Sequence, residues 1–168
     1  MNLQFRYVSE FVAGSVGGLL SAIPMITVLS RTVLPADMII KLTLANALAT
    51  GVAGGSAKYL SSQADLYKGV KMTHTPTQSA TATFLFYFFG TLIGLSIYII
   101  DALFGLNFEN RYIYSMMMVP ILLYLIGSHH AQILGRPSVY HGLEVLMIGV
   151  FSASITYIIG SMIRNRMK

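Results

Sequence analysis

Runs of apolar and small residues without Asp, Glu, Lys or Arg divide this chain into five blocks. Phe11 to Ser30 lies between Glu10 and Arg31, Leu42 to Ala57 lies between Lys41 and Lys58, and Ser79 to Ile100 ends at Asp101. A fourth block starts at Tyr112 and runs toward the His129–His130 pair, and a fifth, Val145 to Ile163, ends at Arg164. A helix needs about 20 apolar residues to cross roughly 30 Å of hydrocarbon, and a helix satisfies its own backbone polar groups there, so each block predicts a membrane-spanning helix. With their flanks, the expected helices cover approximately 11–30, 38–58, 79–100, 112–133 and 141–163. The second is short in its charge-free part, and the stems of Lys41 and Lys58 can carry their ammonium groups out to the headgroups. Pro24 predicts a kink in the first. The longest connection runs from about Ser61 to Gln78, too short for a soluble domain. The fold expected is therefore all-α and integral to the membrane. It has five transmembrane helices in one domain spanning 1–168, with termini on opposite faces.

Composition agrees with this pattern. Hydrophobic residues make up 55% and charged residues 10% of the chain, against about 25% charged in soluble proteins, and the mean hydropathy is +0.67. The formal charge of +5 comes from residues spread between apolar blocks, which fits lipid headgroups and not nucleic acid. Lys and Arg divide almost evenly between the two faces, so the charge bias of the loops sets no orientation. The first block is longer than a signal-peptide core and no clear cleavage site follows it, so it is expected to remain in the mature chain. The absence of Cys removes thiolate metal sites, disulfides and thiol nucleophiles.

An ionisable group in the bilayer core marks a pathway or relay. Here all six acids, Glu10, Asp37, Asp65, Asp101, Glu109 and Glu144, are expected at or beyond helix ends, where water or headgroups solvate them. Gly14-x-x-x-Gly18 and Gly51-x-x-x-Gly55 predict a tight pairing of helices one and two, and self-association through the same faces, because small residues let backbones approach closely. His129, His130, His141 and Glu144, with Glu10 at the start of helix one, are the candidate metal ligands. Spacing of three places His141 and Glu144 on one helical face, although no defined zinc signature is matched. Met116, Met117 and Met118 point about 100° apart on a helix and read as packing. No catalytic triad, phosphate loop or dinucleotide fingerprint is present, so no catalytic residue and no cofactor is assigned.

GRPSVYHGLEVLMIGVFSASITYIIGSMI resembles the final helix and preceding loop of the vacuolar iron transporter family. SATATFLFYFFGTLIGLSIYII is similar to that family's third helix, SSQADLY to its exit from helix two, and GSVGGLLS to the stretch of helix one around its transport aspartate. The resemblance implies five helices, a dimer, and exchange of protons for ferrous or related divalent ions through ligands on helices one and two. At the matching positions this chain has Gly17 for the aspartate and Val52 and Ser56, or Lys58 in a slipped register, for the methionine and glutamate. The short basic linker after helix two also lacks the family's metal-binding glutamates.

Two readings follow. One is a divergent divalent-cation transporter for iron or manganese, using hydroxyl and backbone oxygens or the rim residues Glu10, His141 and Glu144. The other is a non-transporting structural or accessory subunit of a larger membrane complex, the fold kept and the metal site lost. The expected partners are the lipid bilayer and a second copy of the chain or other membrane subunits.

Overall fold

The computed structural model describes residues 7–30, 34–70, 73–106 and 110–166. Arg6, Arg31, Lys71, Glu109 and Lys168, which entered the reading of the flanking charges, lie outside the described residues. The helices are α1 Val8–Leu29, α2 Ala36–Tyr67, α3 Pro76–Gly94, α4 Ser96–Phe104, α5 Arg111–Ile133 and α6 Ser138–Arg166. Among the described residues four are long and apolar enough to cross a membrane, and α3 with α4, bent by 58°, is apolar enough as a pair for either a broken fifth span or a re-entrant loop. This is an integral membrane protein built from helices, and large side chains such as Val52, Phe89, Met117 and Phe151 stand exposed on its outer faces, where lipid is their natural solvent.

Helix lengths depart from the expected windows at α2 and α3. Far from being short, α2 spans 32 residues and continues to Tyr67, ending where Gly69 adopts a φ of 75° and Val70 N–H reaches back to the Asp65 carbonyl at 3.1 Å. Much of the expected connection after Ser61 is therefore helical. The start of α3 is a capping box at Thr75-Pro76-Thr77-Gln78: Gln78 N–H donates to Thr75 Oγ1 at 3.3 Å, and Thr75 N–H to Gln78 Oε1 at 3.2 Å. The third span breaks at Leu95, which Gly94 and Ser96 flank, and glycine with serine is a common site of sharp kinks. The break frees the Gly94 carbonyl, which accepts from Ser115 Oγ at 3.0 Å. By contrast α1 continues through Pro24.

The expected close pairing of α1 with α2 through their glycines does not form; both motifs close on α3. A Cβ at Gly14 would lie 2.7 Å from Phe86 Cβ and from the Thr83 carbonyl, and one at Gly18 would run into the Tyr87 carbonyl. On α2, Gly51 faces the Phe84 ring and Gly55 the Ala80 carbonyl. The reason is that α3 carries its own buried stripe, Ser79, Thr83, Gly90, Thr91 and Gly94, at the spacing that lines one helical face. Leu85, Phe89 and Ile93 turn outward, while this stripe, with Phe84, Phe86 and Tyr87 beside it, meets the glycines of α1 and α2. The Thr91 hydroxyl lies 3.1 Å from the Gly18 carbonyl and 3.1 Å from its own Tyr87 carbonyl. α1 is the most buried span, 44% of its window against 28% or less for the other unbroken ones, and so forms the centre. It carries Leu19 and Ile23 into a core with Val119, Leu123 and Val145, and Ala22 and Ile26 into another with Ile39, Leu95 and Tyr98.

Candidate functional site

Glu10 occupies the first turn of α1 and is 4% exposed, contrary to the expectation of a solvated carboxylate at a helix end. Ser9 Oγ donates to its Oε2 at 2.8 Å, buried Ser79 of α3 lies beside it, and Lys58 Nζ of α2 stands 3.5 Å from Oε1. Lys58 is also 3.5 Å from Ser9 Oγ. The lysine expected to reach headgroups thus points inward, because a buried carboxylate needs a partner and α2 is long enough to supply one. Beside this cluster Tyr7 and His74 stack with centroids 4.1 Å apart. Three helices therefore assemble carboxylate, hydroxyl and ammonium groups at one end of the bundle.

The other buried acid, Asp101 at 5% exposure, also departs from the solvated expectation. It accepts from Arg111 Nη1 at 2.7 Å, and the guanidinium lies over the Tyr98 ring, 5.9 Å from its centroid. This pair joins α4 to the start of α5 at the opposite end. Asp37, by contrast, is exposed and pairs with Lys41 at 3.1 Å.

The positions corresponding to the transport ligands do not converge. Gly17 faces the Tyr87 ring, whose Cε2 would lie 3.0 Å from a Cβ there. Val52 and Ser56 line a lateral groove between α2 and α3 with Thr77, Thr81 and Phe84, and Val52 is 57% exposed. Tyr87 fills the space between them, with Cδ1 facing Gly51 and Cδ2 facing Gly17. Of the other candidate ligands, His130 Nδ1 and His141 Nε2 are 3.3 Å apart, and His141 Nδ1 is 2.8 Å from Glu144 Oε2. His129 turns away into a groove lined by Phe11, Ile126 and Gln132. Among the described residues no three His, Asp or Glu side chains form a ready metal cage.

Missed by sequence reasoning were Lys58 as the partner of Glu10, Ser79 as its hydroxyl neighbour and Tyr87 as the wedge between α1 and α2. The Lys58 pairing had one available signal: an inward register on α2, in line with Gly51 and Gly55, at spacings of three and four.

A family model described as the VIT family matches residues 66–161, from the end of α2 through most of α6. Gly17, Val52 and Ser56 lie ahead of the matched segment. No curated protein and no solved structure matches the chain.

Proposed function

Given that the chain belongs to the VIT family, the vacuolar iron transporters, we propose that it carries divalent metal ions, iron or manganese, across the membrane it spans, with Glu10 as the carboxylate the ion meets. The observation that carries this reading is the oxygen cluster of buried Glu10 and Ser79 with the exposed Ser9 hydroxyl, where α1, α2 and α3 meet. A hard divalent ion needs oxygen ligands and compensating negative charge, and this cluster supplies both. Lys58 holds the place of a cation there: its ammonium neutralises Glu10, and an entering ion displaces it over a few ångströms. Hydroxyl and backbone oxygens of α1 and α2 then serve the ion beyond Glu10, and Tyr87 must swing from between Gly17 and Gly51 for it to pass. The reading is of a carrier, not an enzyme, working as a homodimer or with another membrane subunit.

A second reading, the accessory subunit, draws support from the same two features. Lys58 already satisfies Glu10 without metal, and the Tyr87 ring closes the space between α1 and α2. Uptake of Fe²⁺ and Mn²⁺ into proteoliposomes loaded with a metal-sensitive dye separates the two. The carrier reading expects uptake above that of empty liposomes, lost in Glu10→Gln and retained in Glu144→Gln. Uptake indistinguishable from empty liposomes, with the protein folded and inserted, supports the accessory reading.

A further inference from the structure

α5 and α6 form an antiparallel hairpin whose two arms come unusually close. The turn is made by Gly135 at a φ of 65°, with Arg136 N–H returning to the Ala131 carbonyl at 2.9 Å, and Pro137 follows. Facing pairs then climb the hairpin: Leu123 with Gly149, Gly127 with Val145, and Ser128 with Gly142. A Cβ at Gly127 would lie 3.0 Å from the His141 carbonyl, and one at Gly142 would strike Ser128 Oγ. The glycines thus set both the spacing and the register of the arms. That register places His130 and His141 side by side at the mouth of the hairpin, with ring centroids 5.4 Å apart.

We propose that His130 Nδ1 and His141 Nε2 are two ligands of a borderline divalent metal ion such as Zn²⁺ or Ni²⁺, with Glu144 as the carboxylate that orients His141. Their separation is 3.3 Å. Two imidazole nitrogens on one ion, each at about 2.0–2.1 Å with a tetrahedral angle between them, stand roughly 3.3 Å apart. The second feature is the proton bookkeeping on His141. Its Nδ1 is 2.8 Å from Glu144 Oε2, which fixes the proton on Nδ1 and turns the Nε2 lone pair toward His130; a carboxylate behind a ligating histidine is the usual outer-shell arrangement of such sites. His130 needs only the tautomer with its proton on Nε2 for both lone pairs to face the ion.

The hairpin mouth is open on the Glu144 side, where that side chain is 65% exposed and His141 24%. Water or an external ligand completes the coordination, so the ion is exchangeable and not a structural staple. Imidazole favours Zn²⁺, Ni²⁺ and Cu²⁺, whereas Mg²⁺ and Ca²⁺ prefer oxygen. Arg136 in the turn adds positive charge near His130, which Glu144 offsets. This site does not rest on the transport reading, and its test uses no transport.

The test is titration of Zn²⁺, with Mg²⁺ as control, into the purified full chain in mild detergent and without a polyhistidine tag, followed by calorimetry. Co²⁺ absorption reports coordination geometry independently. The expected result is one Zn²⁺ site per chain and no Mg²⁺ heat. Affinity should fall at least tenfold in His130→Ala and in His141→Ala, and about 10–100-fold in Glu144→Gln. His129→Ala keeps wild-type affinity, because His129 faces the groove beside Phe11. His141→Asn, which retains a polar side chain at the mouth, guards against loss through misfolding and should also lose the site. Zn²⁺ binding equal in wild type and the His130→Ala/His141→Ala double variant overturns the proposal and leaves the pair as a plain imidazole hydrogen bond. Equal losses from His129→Ala and His130→Ala overturn it too, since they mark a surface histidine effect.

Discussion

Replacing Gly18 with Ala adds one methyl group where α1 and α3 touch backbone to backbone. That carbon would run into the Tyr87 carbonyl and stand 2.8 Å from Thr91 N. Neither neighbour is the flexible end of a side chain, so the two helices must separate locally. Forced separation in a packed interior costs about 1–3 kcal/mol. Loosening the hydroxyl contact of Thr91 with the Gly18 carbonyl, 3.1 Å in the native chain, adds roughly 0.6 kcal/mol, a typical value for a hydrogen bond between membrane helices. Against this, Ala gains about 1 kcal/mol over Gly in helix propensity. The net expectation is a loss of about 0.6–2.6 kcal/mol. Gly54→Ala is the matched control on α2: a Cβ there meets nothing within 4 Å, so only the propensity gain of about 1 kcal/mol remains. Unfolding by SDS in mixed micelles, followed by circular dichroism, compares the two directly. Gly18→Ala should unfold at a lower SDS fraction than wild type and Gly54→Ala at the same or a higher one. Equal stability of the two variants would refute the assignment of the α1 glycine face to α3.

At the other end of the bundle, Asp101→Asn should cost about 1.5–3 kcal/mol in the same assay, because it leaves the Arg111 guanidinium without its anion; an unchanged transition contradicts a buried pair there. If α3 and α4 together make one crossing, five crossings put the termini on opposite faces, so reporters fused to each end should respond to opposite compartments, and same-side signals rule out a five-span fold. The double change Gly17→Asp with Ser56→Glu should create no Fe²⁺ or Mn²⁺ binding in purified protein, since position 17 faces the Tyr87 ring and position 56 a lateral groove; stoichiometric binding would show that α1 and α2 rearrange to bring the two together.

How much of this was legible without coordinates depends on the range of the interaction. The spans follow from hydropathy because each helix meets the lipid by itself and satisfies its own backbone, so number, class and rough position are local properties of the chain. Helix ends are not marked by the flanking charges, although the capping box Thr75-Pro76-Thr77-Gln78 and the positive φ of Gly69 are local signals of them. The family resemblance in the later helices was also visible in the residues themselves, and the match over residues 66–161 agrees with it. Which helix the glycines grip was not legible, since Gly14, Gly18, Gly51 and Gly55 are equally suited to any flat partner. Only the three-dimensional arrangement shows that α3 turns a stripe of small residues toward them, with Phe84, Phe86 and Tyr87 packed against the same glycines. The same holds for the charges. In sequence Glu10 and Lys58 each border an apolar block and read as solvated flanks. The folded bundle brings them within 3.5 Å of each other, because a carboxylate buried where α1, α2 and α3 meet must find its counter-charge on a neighbouring helix, and sequence separation says nothing about which helix that is.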